Sequence, residues 1–526
     1  MSDAEIFDRI RAWEAGTPLP RGRTLGWPRA PHHDRLVIAF VRMGGESSPW
    51  GVAIGPPDEE PQCFVSPEPR NADEHAAFVA QFGPLLLDHL DHPRALTQQA
   101  REALLESPAP LLERVRLRQL WMPGPSHVAM LHFLDFRYTT TRRAEASLLT
   151  PLRQTGRGAG WLFRESTRPG QVRVHDATAR LQQAFTFPVE PGRQQHLGHL
   201  LAWLKTPGDR DARIEAAAAA EALTVGVTMD PVYERKVLQP LLEQYRETRD
   251  KPAQWVQIGF QLKAALQPEL VRRWKLTVQA LGLLDADPRP SNPQLDPVVD
   301  LGASEFLFAY WRGETRGLDP SLTDDERKAF VTHPETDFLP ARAAQRYFSY
   351  LHAHELAQAE LVHGDPTLIA AALEAGDGFQ GTVQAVTPGP RGAVTWVVVC
   401  PADGALRVRE EGSVCVAGTP KRTAKVTALD SDGAVRTITL DMNGGKTAKA
   451  VPGQPAVSHP GWVGKTVTFV DGGISGISQR KAMRVHNVDG PGTWLTHATP
   501  LPEPAPVPAE RSDLVGFLRS LEAPQP

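Results

Sequence analysis

Cysteine is scarce in this chain. Cys63, Cys400 and Cys415 are the only three, and none stands in a C-x-x-C pair. That spacing excludes a disulfide framework and a cysteine-based zinc site, and it fits a reducing cytosol. Long apolar runs are missing too. No stretch approaches the ~20 apolar residues of a membrane span, and the opening MSDAEIFDRIRAWEAG reads as an amphipathic helix, not an apolar signal core. A cytoplasmic protein with no membrane partner is expected. Charge of one sign is also lacking. The net charge of −4 gives no global drive toward nucleic acid and leaves that role to local patches.

Familiar catalytic patterns are absent as well. There is no G-x-S-x-G elbow and no H-E-x-x-H pair. The stretch LDMNGGKTAKA (Leu440–Ala450) ends like a phosphate loop, but such a loop needs a glycine five residues before the last one, and Leu440 stands there. Pro452 and Pro455 then prevent the helix whose N-terminus would face the phosphates. Gly464-Lys465-Thr466 fails in the same way, with His459 at the first-glycine position and the strand-like VTFV after it. Two histidine groups, His196 with His199 and His352 with His354 and His363, have only Glu355 as a close acid. They read as half-buried helix positions. No cofactor and no metal is expected.

What is present is ordinary globular material, 41% hydrophobic and 22% charged. Abundant Arg, Ala, Pro and Gly point to a GC-rich bacterial gene. At 526 residues the chain exceeds the ~250–300 at which a single core stops growing, so an α+β multidomain protein is expected. Residues 1–185 read as a mixed α/β domain. RLVIAFVRM, WGVAIG and QCFVS are strands, DEHAAFVAQFGPLLLDHL a helix, LRQLWM a strand and PGPSHVAMLHFLDFRY a turn and helix. That order is compatible with a ribonuclease-H-like fold. Active members of that class hold a divalent metal with an acid in the first strand; here the candidate acids are Asp34, Glu68 and Asp135.

Residues 186–377 read as an α-helical region, with Pro and Asp breaks separating AQWVQIGFQLKAAL from PELVRRWKLTVQALGLL. Residues 378–498 switch to short runs between Gly, Pro and Asp turns, which indicates a small antiparallel β-barrel. Its expected strands include ALRVRE. Residues 499–526 give a Pro-rich linker and a short terminal helix with Leu514, Phe517, Leu518 and Leu521 on one apolar face.

Two segments carry excess positive charge. Residues 136–173 hold eight arginines against Glu145 and Glu165, interleaved with Phe136, Tyr138, Trp161 and Phe163. Arginine neutralises phosphate and aromatic rings stack on bases, and TGRGAG (Thr155–Gly160) is expected to be a flexible anion-binding stretch. Between residues 405 and 485 there are twelve Lys or Arg against six Asp or Glu, an excess that favours a polyanion by counterion release.

The stretch GALRVREEGSVCVAGTPKRTAKVTALDSDG, preceded by a helical region, resembles the stalk and small β-barrel near the motor of superfamily 1B DNA/RNA helicases. There, strands and basic turns contact the nucleic acid. The resemblance implies a barrel and stalk without the motor, whose phosphate loop and Asp-Glu magnesium motif this chain lacks. A non-catalytic nucleic-acid-associated accessory protein is therefore expected, one that works with a separate helicase or ATPase. Its expected contacts are Arg142, Arg143, Arg153, Arg157 and Arg164, with Arg407, Arg409, Lys421, Arg422 and Lys425 on the barrel. Two other functions fit the sequence. One is a protein–protein adaptor of a bacterial multi-component system, using Leu514, Phe517, Leu518 and Leu521. The other is a metal-dependent nuclease with a degenerate site.

Overall fold

LVIAFV is too continuous in its apolarity for a strand with one wet face. In the computed structural model it lies in β1 (Arg35–Arg42), the central strand of a five-stranded sheet, and it is buried throughout. The structure describes residues 3–22, 27, 29–90, 118–142, 144–167, 171–289, 362–419, 422–442 and 455–471. β2 (Pro49–Gly55) pairs antiparallel to β1 and β3 (Gln62–Val65) antiparallel to β2. On the other side, β4 (Gln119–Met122) and β5 (Val174–Asp176) run parallel to β1. The order is thus β3-β2-β1-β4-β5.

Successive strand side chains point to opposite faces, and β1 shows it. Leu36, Ile38 and Phe40 enter one core with α2 (Ala72–Leu90), α3 (Pro125–Tyr138) and α4 (Ala146–Ser166). Val37, Ala39 and Val41 enter a second core on the opposite face. There they meet α5 (Ala177–Ala184), α6 (Leu197–Lys205), α7 (Arg210–Glu221), α8 (Gln239–Glu247) and α9 (Pro252–Ala286). The domain boundary expected at residue 185 therefore cuts through one continuous core. The helices after it form a layer of the same sandwich, because without them one face of the sheet would be left in water.

α9 corrects a second expectation. It runs unbroken through Pro268 for 35 residues, ~52 Å of rise. The proline costs the helix about 3 kcal/mol. Burial of Ile258, Leu262, Leu266, Leu270, Trp274, Leu281 and Leu284 outweighs that, since each large apolar side chain contributes roughly 1.5–3 kcal/mol when buried. The exposed ring of Pro268 sits on the solvent side.

TGRGAG is also not a flexible stretch; it lies in the middle of α4. A Cβ on Gly156 would lie 2.5 Å from Thr139 N, and one on Gly160 would lie 2.2 Å from Asp135 Cγ. These glycines are where α3 and α4 cross. Sequence rules read them as loop because glycine weakens an isolated helix, whereas here the missing side chains let two helices touch.

The barrel is closed and antiparallel. Its strands are β6 (Gly378–Pro388), β7 (Val394–Pro401), β8 (Ser413–Val416), β9 (Thr423–Ser431), β10 (Val435–Met442) and β11 (Thr466–Asp471). Their order is β8-β9-β10-β7-β6-β11, with β11 pairing back to β8. Trp396 and Phe469 fill its centre. Trp396 Nε1 donates to Val457 O at 2.8 Å, which ties the segment before β11 over the core. ALRVRE is not one of the strands. Its residues take no regular structure and end in a turn at Glu410, with Leu406 and Val408 packed against the barrel.

α10 (Pro366–Ala375) joins the barrel to the rest of the protein. It packs on β6 and β11 and also on α1 (Asp3–Ala15), where Thr367 Oγ1 donates to Asp8. Among the described residues no helix is long and apolar enough to cross a membrane.

The helix crossing gives a test with opposite signs. Gly156→Ala should lower stability by about 2 kcal/mol, because backbone of α3 must move to admit the methyl. Gly282→Ala, in α9 with nothing within 4 Å of the added atom, should raise it by about 0.5–1 kcal/mol. Denaturant midpoints check both; equal effects would refute the close-packing role of Gly156.

Candidate nucleic-acid interface

Arg153, Arg157 and Arg164 lie four and seven residues apart, so α4 presents them on one face. That face borders the crossing with α3. Arg153 Nε donates to Thr141 O at 2.9 Å, and Arg164 Nη1 donates to Asp135 Oδ2 at 3.1 Å while its side chain stays 43% exposed. Arg157 is half-buried, and Arg137 and Arg142 are exposed. Arg143 lies outside the described residues. The aromatics divide. Tyr138 and Trp161 belong to the core, whereas Phe136 is 82% exposed. His132, which the sequence reading passed over, is exposed and stacks on Phe163 with centroids 4.8 Å apart. Its signal was available: His132 and Phe136 are four apart, one turn on α3.

Barrel cations are placed differently from expectation. Arg422 is not a surface contact. It is 8% exposed, its Nη2 donates to Pro455 O at 2.9 Å, and its guanidinium lies over the Trp462 ring. Lys425 is ion-paired with Glu411, and Arg407 lies 3.7 Å from Asp377. Arg407 and Arg409 are both exposed on the irregular segment before β8, so their alternation survives without a strand. Lys421 lies outside the described residues. Among the described barrel residues after 405, Arg407, Arg409, Arg422, Lys425, Arg436 and Lys465 face an equal number of acids. The positive excess of that region comes from residues that are not described. Leu440, at the would-be first glycine, is a buried barrel residue paired with Trp396; Lys446 and Thr447 lie outside the described residues. Lys465 sits over Trp462, and Thr466 opens β11.

The carboxylates weighed for a nuclease do not meet. Asp34 precedes β1, whereas Glu68 follows β3 at the other end of the sheet, where Val65 pairs with Gly51 and Gly51 with Val41. The eight residues of β1 between them span ~26 Å. Each acid has its own cation: Arg118 near Asp34, Arg246 on Glu68, Arg164 on Asp135. Burial works to raise the Glu68 pKa, but hydrogen bonds from Arg246 and from the Arg70 backbone outweigh it and hold it low.

Parallel sheets bind ligands where strand order reverses, beyond the carboxyl ends of the strands. Here that crevice, between β1 and β4, is filled by the chain itself. β1 pairs with β4 only from Arg35 to Val37. Beyond that, Phe40 N donates to His127 Nδ1 at 3.0 Å, and His127 Nε2 donates to Val225 O at 2.9 Å. Arg42 N donates to Val227 O at 2.7 Å, and Val227 N donates to Ser126 Oγ. Residues 224–229 thus complete the free edge of β1. Arg273, wholly buried, holds the same segment through Gly226 O, Thr228 O and Thr224 Oγ1. Sequence reading missed both His127 and Arg273, since neither sits in a recognisable motif.

The histidine groups also resolve into structural roles. His196 Nδ1 accepts from His199 N at the start of α6, and its Nε2 donates to Leu223 O. His199 receives Trp203 Nε1–H at Nε2 and faces Glu221 through Nδ1 at 2.9 Å. His363 Nδ1 accepts from Gly418 N, which leaves Nε2–H directed at Cys415 Sγ, 2.9 Å away. His352 and His354 lie outside the described residues. Among the described residues no group of three or more His, Cys, Asp or Glu could hold a metal ion.

No protein-family model matches the chain, and no curated protein matches it. Among solved structures, flavohemoglobin from Malassezia yamatoensis with bound FAD and heme is similar at 14% identity and a TM-score of 0.15. The match covers 47% of this chain and 59% of that one, so it spans little more than half of the flavohemoglobin. A likeness that weak carries no argument about fold or activity.

The crevice histidine sets a pH dependence. Burial pushes His127 down to about 3 and His75 to about 4. The unfolded chain takes up a proton at each near pH 6.5, while the folded chain does not. Between these values the unfolded state binds more protons, so stability rises with pH from about 4 to 6.5. His127→Asn keeps a donor and an acceptor but does not titrate. It should flatten the dependence between pH 4.5 and 5.5 by about 1 kcal/mol per pH unit, measured by urea denaturation. An unaltered slope would remove His127 from the account.

Proposed function

We propose that this chain is a non-catalytic nucleic-acid-associated accessory protein, which works with a separate helicase or ATPase and contacts the nucleic acid through the α3–α4 face. The observation that carries the reading is the placement of Arg137 on α3, Arg153, Arg157 and Arg164 on the crossing helix α4, and Arg142 on the segment that joins them. Arginine at such density neutralises phosphates and positions a polyanion. The exposed Arg407 and Arg409 add a smaller basic segment on the barrel.

The strand order, with β2 the one antiparallel member, supports reading the N-terminal sheet as ribonuclease-H-like. A catalytic member of that class would need an acid in β1 for its metal. Here β1 reads RLVIAFVR, and the space beside its carboxyl end is taken by residues 224–229. Among the described residues none of these positions offers a metal-binding set, which favours a scaffold role. The closed barrel after a helical layer is what supports the helicase-type resemblance. The adaptor reading rests on Leu514, Phe517, Leu518 and Leu521, which lie outside the described residues.

Salt dependence tests the proposal. Filter binding of a mixed oligonucleotide between 50 and 200 mM salt should show affinity falling steeply with salt. The combined variant Arg137→Glu, Arg142→Glu and Arg157→Glu, with circular dichroism to check folding, should bind at least tenfold more weakly and with a shallower salt slope. Affinity indifferent to both salt and the charge reversals would refute it.

A further inference from the structure

We infer that the α3–α4 face takes an unpaired strand, stacking bases on Phe136 and on the His132–Phe163 pair, in preference to a duplex. This deepens the nucleic-acid reading above and rests on it. Tyr138, two residues from Phe136, and Trp161, two residues from Phe163, are 3% and 1% exposed, as the core demands. Phe136 is 82% exposed and belongs to neither core of the sheet. One turn earlier, exposed His132 lies nearly parallel to Phe163, at an interplanar angle of 22°. A ring pair in that arrangement leaves its outer face open to a further flat group.

Cations frame these rings. Arg137 is exposed beside Phe136. Arg164 follows Phe163 and reaches back across the crossing to Asp135, the residue before Phe136. Asp135 is the acid at this spot, and its carboxylate is already paired with Arg164 and bound by Thr139 Oγ1. The surface therefore offers ring faces and guanidinium groups within one turn of each other. A duplex presents phosphates, but its base faces are hidden in the stack. An unpaired strand presents both, and every base has a face to stack.

Fluorescence polarisation of the full chain tests this, using labelled oligothymidylate, oligouridylate and a blunt duplex of the same length. Either single strand should bind more tightly than the duplex, and the better of the two identifies DNA or RNA. Phe136→Ala should weaken single-strand binding about tenfold and leave duplex binding unchanged, while Phe136→Trp restores it. The exposed position keeps folding out of the result, which unchanged melting would verify. Equal binding of strand and duplex, untouched by Phe136→Ala, would overturn the stacking inference and leave the charge-based reading standing. Binding of neither would overturn that reading itself.

Discussion

All five N–H groups of Arg273 are satisfied inside the protein. Nε donates to Gly226 O, Nη1 to Glu269 O and its carboxylate, and Nη2 to Thr224 Oγ1 and Thr228 O. A guanidinium has five donors and no acceptor, so nothing on this buried group is left unpaired. Burial lowers its pKa only to about 10, and it stays charged at neutral pH. For Glu269, burial works upward, but hydrogen bonds from Arg272 and Arg273 prevail and hold its pKa low. Removing one partner of a buried pair strands the other charge at a cost of about 3–5 kcal/mol, which makes this contact hard to lose.

The rest of the architecture leans on that contact. Arg273 lies on α9, the helix that closes one face of the sheet, and its acceptors lie on residues 224–229, which close the open edge of β1. His127 on α3 joins the same segment from the other face. One buried cation and one neutral histidine therefore tie both helical layers to the central strand. A water-filled crevice at this place is what a ligand site between β1 and β4 would require, and polar atoms already spent on one another cannot receive a ligand. The surface proposed for nucleic acid lies outside the sheet, on the outer faces of α3 and α4, where charge and rings are carried without disturbing the core.

Much of the fold was legible in the residues. The continuous apolar run at Arg35–Arg42 declared a strand buried on both faces, and period-two runs after residue 378 declared the barrel. Other elements misled because local rules price local costs. Pro268 looked like a helix end and TGRGAG like a loop, yet burial along α9 and the α3–α4 crossing reverse both judgements. ALRVRE alternates like a strand because one side packs on the barrel, although no neighbour extends a ladder to it.

The site divides in the same way. Residue type alone singled out Arg153, Arg157 and Arg164 as a basic cluster, and spacing alone argued against a phosphate loop at Lys446; that the three arginines share one face of a helix emerged only with α4. The sequence could not say that Arg422 is buried against the Trp462 ring, that Phe136 stands in water while Tyr138 does not, or that Asp34 and Glu68 end up at opposite ends of a sheet. Those outcomes depend on which distant segments pack together, and burial and pairing exist only once the chain has folded.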